Sequence, residues 1–311
     1  MKRRVVIGTR GSELALYQTN WVRDRLMKLY PEVEFLVEKI KTTGDIILDS
    51  PLSKIGDKGL FTKELDRALL DGRIDFAVHS MKDVPTQFDE RLAIIAVTDR
   101  WDVRDAFLSR DGTQLSQLPE GAVVATGSLR RRAQLLHYRP DLRIVDIRGN
   151  VNTRLKKFDE SNWHGMILAC AGLERLNFHD RITEKIGFDI MLPAVGQGCF
   201  AVMGRRDDAE TAELLQPLNR PLTAAAVTAE RELLRVLEGG CQVPLGAYAY
   251  VEKEEVVLEG CVADLDGKRC YRGSARAELD FAADAGRELA EKLIKMGADQ
   301  ILEEIRLANK E

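Results

Sequence analysis

The sequence predicts an α/β fold with more than one domain. Short apolar runs alternate with segments of helical apolar spacing up to residue 176, a pattern typical of mostly parallel, doubly wound sheets. Residues 5–12 (VVIGTRGS) and 123–130 (VVATGSLR) resemble each other weakly, which favours two similar halves. After Pro221 a long helix and three strand-like runs predict a small α+β domain. The 311 residues, 45% of them hydrophobic, exceed what one domain normally holds.

The first half begins with a short buried strand at residues 3–8. Ser12 is the candidate N-cap of the helix that follows, because an apolar stripe begins directly after it. That stripe consists of Leu14, Tyr17, Trp21 and Leu26. The remaining elements of this half are apolar runs at 35–42, 74–78 and 92–97 and a helix at 61–70.

The second half repeats this order, and the tail departs from it. Strands predicted at 122–126, 143–147 and 165–169 each lead into a helical segment. In the tail, the predicted elements are a helix through 229–239, strands at 245–253, 255–263 and 269–276, and a last helical stretch from about Ala282. Asp266-Gly267 is a strong hairpin signal, so these strands are expected to form an antiparallel sheet.

Composition restricts the possible functions. With 46 Lys and Arg against 50 Asp and Glu, the net charge of −4 gives no general attraction to nucleic acid or acidic membranes, so anion binding must be local. Five cysteines without a CxxC pair favour a reduced, cytoplasmic location, and the four histidines lack metal-ligand spacing, so we expect no metal. The apolar run at 5–7 is too short for a signal peptide, and no run approaches membrane-spanning length.

Three arginines occupy positions that helix electrostatics disfavour. If Ser128 caps the helix, Arg130, Arg131 and Arg132 lie in its first turn, where the dipole opposes each cation by ~0.3–1 kcal/mol. A bound anion is the natural compensation, since free N–H groups and guanidinium forks converge there. For any single arginine, a surface ion pair or packing of its stem is an equally good explanation. For the set we expect anion binding, and we expect Arg131 to be dispensable for stability.

Other strand ends carry arginine as well. Arg10 follows the first strand, Arg148 follows the strand at 143–147, and Arg154 begins the next helix. Doubly wound sheets bind ligands at such ends, and without a P-loop the expected anions are carboxylates. GQGCFA at 196–201 matches a dinucleotide fingerprint, but the predicted strand follows the glycines and no acidic residue lies between 214 and 220. We therefore do not expect a dinucleotide.

Two further residues carry weak signals on their own. Asp83 lies in a polar loop with His79, Ser80 and Lys82, and an aspartate there most often caps a turn. Cys241 lies in a helix-ending loop between two glycines and Gln-Val-Pro, where an accessible thiol is expected more than a buried one. A single cysteine is nevertheless more often inert than reactive.

A family resemblance connects these residues. Nine motifs occur in order along nearly the whole chain: GTRGSELAL, KTTGD, DKGLFTKELD, HSMKDVPT, GSLRRRAQL, IRGNVNTRL, AGLERL, LPAVGQG and LEGGCQVPLGA. Together they resemble the porphobilinogen deaminase (hydroxymethylbilane synthase) family. The resemblance implies two doubly wound domains similar to periplasmic binding proteins and a C-terminal α+β domain with a three-stranded antiparallel sheet. The implied boundaries are 1–98 with 199–216 for domain 1, 104–192 for domain 2 and 220–311 for domain 3.

The resemblance also implies a reaction and a cofactor. The family joins four molecules of porphobilinogen head to tail into hydroxymethylbilane, releasing four ammonia, on a dipyrromethane held through a thioether that corresponds to Cys241. Asp83 and Lys82 correspond to catalytic positions, Asp83 stabilising the cationic pyrrole and relaying protons. The residues implied to bind cofactor or substrate are Arg10, Ser12, Ser80, Lys82, Thr126, Ser128, Arg130, Arg131, Arg148, Arg154, Arg175 and Gln197. Lys54 and Lys58 lie in a loop whose composition suits a mobile lid, although a plain solvated loop explains it equally well.

Departures and alternatives remain. Cys199 and Met203 stand where the family commonly has an alanine and an acidic residue, so no role is expected for these two positions. A non-catalytic solute-binding protein would explain the arginines but not Cys241. A nucleic-acid binder is disfavoured by the net charge and by the scattering of the arginines. We expect a monomer that acts on a small molecule, without nucleic-acid or membrane partners.

Overall fold

The chain is described from a computed structural model, which defines residues 3–46, 59–237 and 243–308. Its strands are β1 (Arg4–Thr9), β2 (Glu34–Lys39), β3 (Phe76–Ser80), β4 (Leu92–Val97), β5 (Asp105–Ser109), β6 (Val123–Ala125), β7 (Arg143–Val145), β8 (Gly165–Ala169), β9 (Glu184–Lys185), β10 (Phe200–Arg205), β11 (Leu245–Glu252), β12 (Glu255–Ala263) and β13 (Cys270–Glu278). Its helices are α1 (Glu13–Leu29), α2 (Thr43–Ile46), α3 (Lys63–Leu70), α4 (Leu129–Tyr138), α5 (Val151–Asp159), α6 (Cys170–Arg175), α7 (Ala209–Leu215), α8 (Pro221–Val236), α9 (Ala282–Met296) and α10 (Ala298–Ala308). The mixed α/β prediction is confirmed.

The first sheet has the order β2-β1-β3-β10-β4. β1 runs parallel to β2 and β3, whereas β10 pairs antiparallel with both β3 and β4. The strand predicted after the glycines of GQG is therefore present, and it returns from much later in the chain to complete this sheet. Apolar residues of β1, β3 and β10 pack with α1, whose Val22 and Leu26 are buried. Trp21, Trp101 and Phe200 form an edge-on aromatic cluster in the same core.

The second sheet has the order β7-β6-β8-β5-β9. β6 runs parallel to β7 and β8, while β5 pairs antiparallel with β8. β5 was not predicted, because DAFLS is short and is not followed by a helical pattern. The antiparallel pairing places Asp105, the first residue of β5, opposite Ala169 at the carboxyl end of β8.

The tail forms a third, antiparallel sheet of three strands, β11-β12-β13, as predicted. α8, α9 and α10 pack on it through a continuous apolar core. The stretch predicted as one helix from Ala282 is two helices, because Gly297 adopts φ +106° and ends α9. Within the part of the chain that the structure describes, no helix is long and apolar enough to cross a membrane.

The described residues form two compact units. One contains 3–46, 59–101 and 198–224, and the other contains 102–197 and 225–308. The second and third sheets thus belong to the same unit, in which α4 contacts the tail: His137 Nδ1 hydrogen-bonds with the Gly267 carbonyl at 2.8 Å, and Arg132 Nε donates to the Leu265 carbonyl at 3.2 Å. The division into three domains stays a prediction.

The turn between β12 and β13 offers a test of this packing. Gly267 has φ +72°, and a Cβ there would lie 2.3 Å from the backbone nitrogen of His137. We expect Gly267→Ala to destabilise the protein by more than the ~1–2 kcal/mol that a left-handed alanine costs, because the α4 backbone must also shift. Gly112→Ala is the matched control, since Gly112 has φ +83° and no atom lies within 4 Å of the methyl group that alanine would add. Urea unfolding compares the two, and equal losses would contradict the packing argument.

Candidate active site

In the first compact unit, predicted site residues follow two neighbouring parallel strands. Arg10 and Ser12 follow β1, while Ser80 ends β3 and Lys82 and Asp83 lie in the 3-10 turn directly after it. Because β1 and β3 are parallel, these residues lie at the same edge of the sheet. Ser12 is the N-cap of α1, as predicted, its hydroxyl accepting from the Ala15 N–H at 3.3 Å.

Backbone hydrogen bonds fix the turn that carries Asp83. The Met81 N–H donates to the Cys199 carbonyl at 3.1 Å, and the Val84 N–H donates to the Met81 carbonyl at 3.1 Å. The Ser80 hydroxyl accepts from Gln18 Nε2 at 2.7 Å, which ties the strand end to α1. Asp83 itself is half-buried and has no salt-bridge partner among the described residues. Its carboxylate is therefore available for a ligand.

Arg10 is oriented by a protein carboxylate. Its Nη2 donates to Asp45 Oδ1 at 2.5 Å, and its guanidinium carbon lies 4.1 Å from the centre of the Phe61 ring. Burial raises the pKa of Asp45, but hydrogen bonds from Arg10 and Thr42 outweigh that effect and lower the pKa below its usual value. The KTTGD and DKGLFTKELD motifs thus supply the residues that hold Arg10 in place.

His79 is a buried imidazole beside this edge. Its side chain lies in β3 and is 4% exposed, and among the described residues its Nε2 has no hydrogen-bond partner. Burial, together with a smaller contribution from the positive charge of Arg10, lowers the pKa of His79 to about 4. The imidazole is therefore neutral near pH 7.

In the second compact unit, polar side chains follow the carboxyl ends of the parallel strands β6, β7 and β8. Thr126 and Ser128 follow β6, and Ser128 caps α4 as predicted, accepting from the Arg131 N–H at 3.4 Å. Arg148 follows β7, and Arg154 in α5 donates from Nε to the Gly149 carbonyl at 2.8 Å. Arg175 is buried at the end of α6, which follows β8.

Asp105 occupies the centre of the arginine cluster. Its Oδ2 accepts from Arg130 Nη1 at 2.7 Å, and its Oδ1 accepts from Arg131 Nη2 at 2.8 Å and from Gln197 Nε2 at 3.0 Å. All four side chains are buried. Burial alone would raise the pKa of Asp105, but the two guanidinium groups outweigh it and hold the pKa below its usual range.

This arrangement corrects one expectation. Arg130 and Arg131 do lie in the first turn of α4, but a carboxylate of the protein compensates their charge there. Losing a buried hydrogen bond to a charged group typically costs about 1.5–3 kcal/mol. The buried pair gives a physical reason to expect that Arg131 contributes to stability, contrary to the expectation from the sequence. Its contact with a ligand stays a prediction that must use its remaining N–H groups.

Two guanidinium nitrogens in the second compact unit suit an acidic ligand. Arg131 Nε and Arg148 Nη1 are buried, and neither has a hydrogen-bond partner among the described residues. Buried N–H groups are nearly always hydrogen-bonded, so donors left in this state are suited to an acceptor from outside the protein. One carboxylate also balances two arginines, which leaves the cluster positive. These residues fit the dipyrromethane that the family resemblance implies, because its pyrrole rings bear acetate and propionate groups.

Several residues that shape the site were not predicted from the sequence. Asp105 and Asp45 orient arginines, and neither lies beside its partner in sequence. In the sequence, the only signal for Asp105 is that it is an acidic residue at the start of an apolar run. Such residues are too common for a role to be assigned from that signal. Cys199 and Met203, the two departures from the family pattern, are both 1% exposed. Cys241, Lys54 and Lys58 lie outside the described residues, and among those described no group of three His, Cys, Asp or Glu could hold a metal ion.

The buried imidazole predicts a pH dependence of stability. The native state keeps His79 neutral down to about pH 4, whereas the unfolded chain binds a proton near pH 6.5. As the pH falls from 6.5 to 4, this difference should remove on the order of 3 kcal/mol from the free energy of unfolding. We expect His79→Gln to lose less stability than the wild type over this interval. Urea unfolding at a series of pH values measures it, and parallel curves for the two proteins would contradict the assignment.

Comparison with known proteins gives two family models and many relatives that match this chain. Residues 5–213 match the family model described as porphobilinogen deaminase, dipyromethane cofactor binding domain, and residues 224–295 match the model for the C-terminal domain of porphobilinogen deaminase. Among curated relatives, the porphobilinogen deaminase of Desulforudis audaxviator is 52% identical over 306 residues, covering 98% of this chain and 99% of the relative. That of Chlorobium phaeobacteroides is 50% identical over 310 residues, covering 98% and 99%.

Solved structures show more distant similarity. The periplasmic aliphatic sulphonate binding protein SsuA from Escherichia coli aligns over 76% of this chain and 71% of its own, with 15% identity and a TM-score of 0.42. The amino-acid ABC transporter binding protein ytmK from Bacillus subtilis covers 70% of this chain and 92% of its own, with 13% identity and a TM-score of 0.40. The two family models and the near full-length relatives establish the assignment: the chain belongs to the porphobilinogen deaminase family.

Proposed function

We propose that this chain joins four porphobilinogen molecules head to tail into hydroxymethylbilane, releasing four ammonia, on a dipyrromethane held through a thioether to Cys241. The observation that carries the proposal is the positive cluster around Asp105, together with two buried guanidinium nitrogens of the same compact unit, Arg131 Nε and Arg148 Nη1, that lack a partner among the described residues. When bound, the dipyrromethane supplies the primer on which the product grows. We further propose a cytoplasmic monomer without nucleic-acid or membrane partners, which suits the net charge of −4.

The arginines would hold the carboxylates of cofactor and substrate. Arg148 Nη1 and Arg131 Nε are donors in the second unit without a partner among the described residues, and Asp105 keeps the Arg131 guanidinium in one orientation. Guanidinium groups suit this role because their planar fork matches a carboxylate. In the first unit Arg10 would bind a carboxylate while Asp45 fixes its direction. Ser12, Ser80, Thr126, Ser128, Arg130, Arg154, Arg175 and Gln197 are proposed to line or support the same surfaces.

Asp83 is proposed to be the catalytic carboxylate. Its half-buried side chain follows β3 in a turn held by the Met81 and Val84 N–H groups, so its position is fixed without an ion pair among the described residues. A carboxylate there can accept pyrrole N–H bonds, stabilise positive charge as ammonia departs, and take up or return a proton. Lys82, its neighbour in the turn, is proposed to be the second catalytic residue and to contact cofactor or substrate.

The cofactor attachment predicts the mass of the protein. We expect denatured intact wild type to exceed its sequence mass by one dipyrromethane, because a thioether survives denaturation. Cys241→Ser should have the sequence mass alone and no activity, while Cys270→Ser, at a half-buried strand position, should keep the added mass. Electrospray mass spectrometry makes the measurement. Active wild-type protein of unmodified mass would end the proposal.

Asp83→Asn should separate chemistry from folding. Because the carboxylate has no salt-bridge partner among the described residues, we expect the melting temperature to change by no more than about 2 °C. Turnover should fall by roughly 10²–10⁴-fold, the usual contribution of a positioned acid or base. Asp89→Asn serves as the control, since Asp89 pairs with Arg91 at the surface. Turnover of both variants is measured as the steady-state rate of product formation. A fully active Asp83→Asn would show that the catalytic assignment is wrong.

Two arginine substitutions should both weaken cofactor binding, but only one of them should lower stability. Arg148→Leu should lower the fraction of molecules that carry cofactor with little change in stability, because Arg148 is only partly buried and its Nη1 is unpartnered among the described residues. Arg131→Leu should lower both the cofactor-carrying fraction and the stability, the latter by about 1.5–3 kcal/mol, because it removes a charge-assisted hydrogen bond to Asp105.

Arg143→Leu is the control for both variants, because Arg143 is exposed at the opposite end of β7. Cofactor occupancy is read from the denatured mass and stability from urea unfolding. Full occupancy in Arg148→Leu would remove that residue from the proposed site.

A further inference from the structure

A buried carboxylate in the tail has no part in the function proposed so far. Glu230 lies on α8 within an apolar core that includes Ala226, Ala229 and Leu233, and it is 0% exposed. Its Oε1 accepts from the Ala249 N–H of β11 at 2.7 Å, and its Oε2 accepts from the Gly196 N–H at 2.7 Å. A carboxylate in such a core is costly unless its oxygens are hydrogen-bonded. These two bonds therefore fix β11 and the segment at Gly196 relative to α8.

Gly196 connects directly to the arginine cluster. The next residue, Gln197, donates from Nε2 to Asp105 Oδ1 at 3.0 Å and to the Val103 carbonyl at 2.7 Å. The same Oδ1 of Asp105 accepts from Arg131. A continuous series of hydrogen bonds and one peptide link thus runs from Glu230 to Arg131, entirely within the second compact unit.

The other end of the segment 192–197 is held by α4, the helix that carries Arg130 and Arg131. Gln134 of α4 both donates to the Leu192 carbonyl, at 3.1 Å, and accepts from the Leu192 N–H, at 2.8 Å. Arg130 Nη1 also donates to the Leu192 carbonyl, at 2.7 Å. α4 therefore fixes Leu192, and Glu230 fixes Gly196, four residues later. The side chain of Gln197 projects from the end that Glu230 controls.

We propose that Glu230 is a positioning residue that sets the place of Gln197, and through Gln197 the orientation of the Asp105 carboxylate that holds Arg131. The inference rests on the proposed function, because it assigns Glu230 to the carboxylate-binding arginines of that site. A carboxylate suits the role since both of its oxygens accept at once, in short charge-assisted bonds. A glutamine of the same shape can accept at one oxygen only, so its amide nitrogen would face one of the two N–H groups.

The test is a double-mutant cycle between Glu230→Gln and Gln197→Ala. Each single variant should lower kcat/KM for porphobilinogen by roughly tenfold or more, since a displacement of about 1 Å at a binding group has effects of up to 10²-fold. Each should also reduce the fraction of molecules that carry the cofactor, read from the denatured mass. In the Gln197→Ala background, Glu230→Gln should change kcat/KM by less than about twofold, because both act on the same carboxylate. If the losses in kcat/KM of the two single variants multiply in the double variant, the proposal is overturned.

Leu233→Ala is the matched control for a merely structural role. Leu233 lies one turn further along α8 in the same core and is equally buried, so its truncation destabilises the tail without touching Gly196. Measured below its melting temperature, Leu233→Ala should keep wild-type kcat/KM and cofactor occupancy. If Leu233→Ala and Glu230→Gln are equally stable and lose equal amounts of kcat/KM and cofactor occupancy, Glu230 is structural and the proposal fails. Should Glu230→Gln not fold, Glu230→Asp, whose shorter side chain cannot reach both N–H groups, replaces it in the cycle.

Wild-type protein, assayed beside the variants, separates this inference from the function on which it rests. Wild type that lacks the added mass or makes no hydroxymethylbilane overturns the proposed function and the role of Glu230 with it. If wild type carries the added mass and makes hydroxymethylbilane, but Glu230→Gln has unchanged cofactor occupancy and kcat/KM, only the role of Glu230 is overturned.

Discussion

The burial of two arginines in the second compact unit depends on the carboxylate of Asp105. Two arginines point into the protein interior, where an uncompensated guanidinium would be expensive, and one buried aspartate makes their burial possible. Because one negative charge serves two positive ones, the cluster stays positive after it is assembled. The same bonds that satisfy the interior thus leave electrostatic capacity for an acidic ligand. We therefore expect a substitution of Arg131 to affect stability and the proposed ligand binding together.

Sheet topology explains why the polar groups converge. In each of the first two sheets, parallel strands end at one edge, and the residues after them face a common region within their own unit. Antiparallel strands add the supports: β5 brings Asp105 to the end of β8, and β10 brings the Cys199 carbonyl to the turn of Asp83. The parallel strands supply the functional groups, and the strands that run against them hold those groups in place.

Local patterns predicted local structure well. Ser12 and Ser128 cap their helices as expected, the strand follows the glycines of GQG, and Asp266-Gly267 turns the tail hairpin, because each signal depends on a few adjacent residues. The partners of the arginines could not be predicted the same way. Asp105 reaches Arg130 across 25 positions and Asp45 reaches Arg10 across 35, so only the folded topology brings them together. Arg130 and Arg131 lie in the first helical turn as predicted, but an internal aspartate compensates their charge.

The return of β10 to the first sheet also has consequences during synthesis. β3 and β4 do not pair directly, since β10 lies between them, and the turn that carries Asp83 donates a hydrogen bond to the Cys199 carbonyl. Synthesis must therefore reach residue 205 before the first sheet can be completed, although domains usually fold as their own segment emerges. Until residue 205 is available, β3 and β4 present unpaired edges. Nascent chains of this protein should accordingly depend on chaperone protection longer than a contiguous lobe of the same size would.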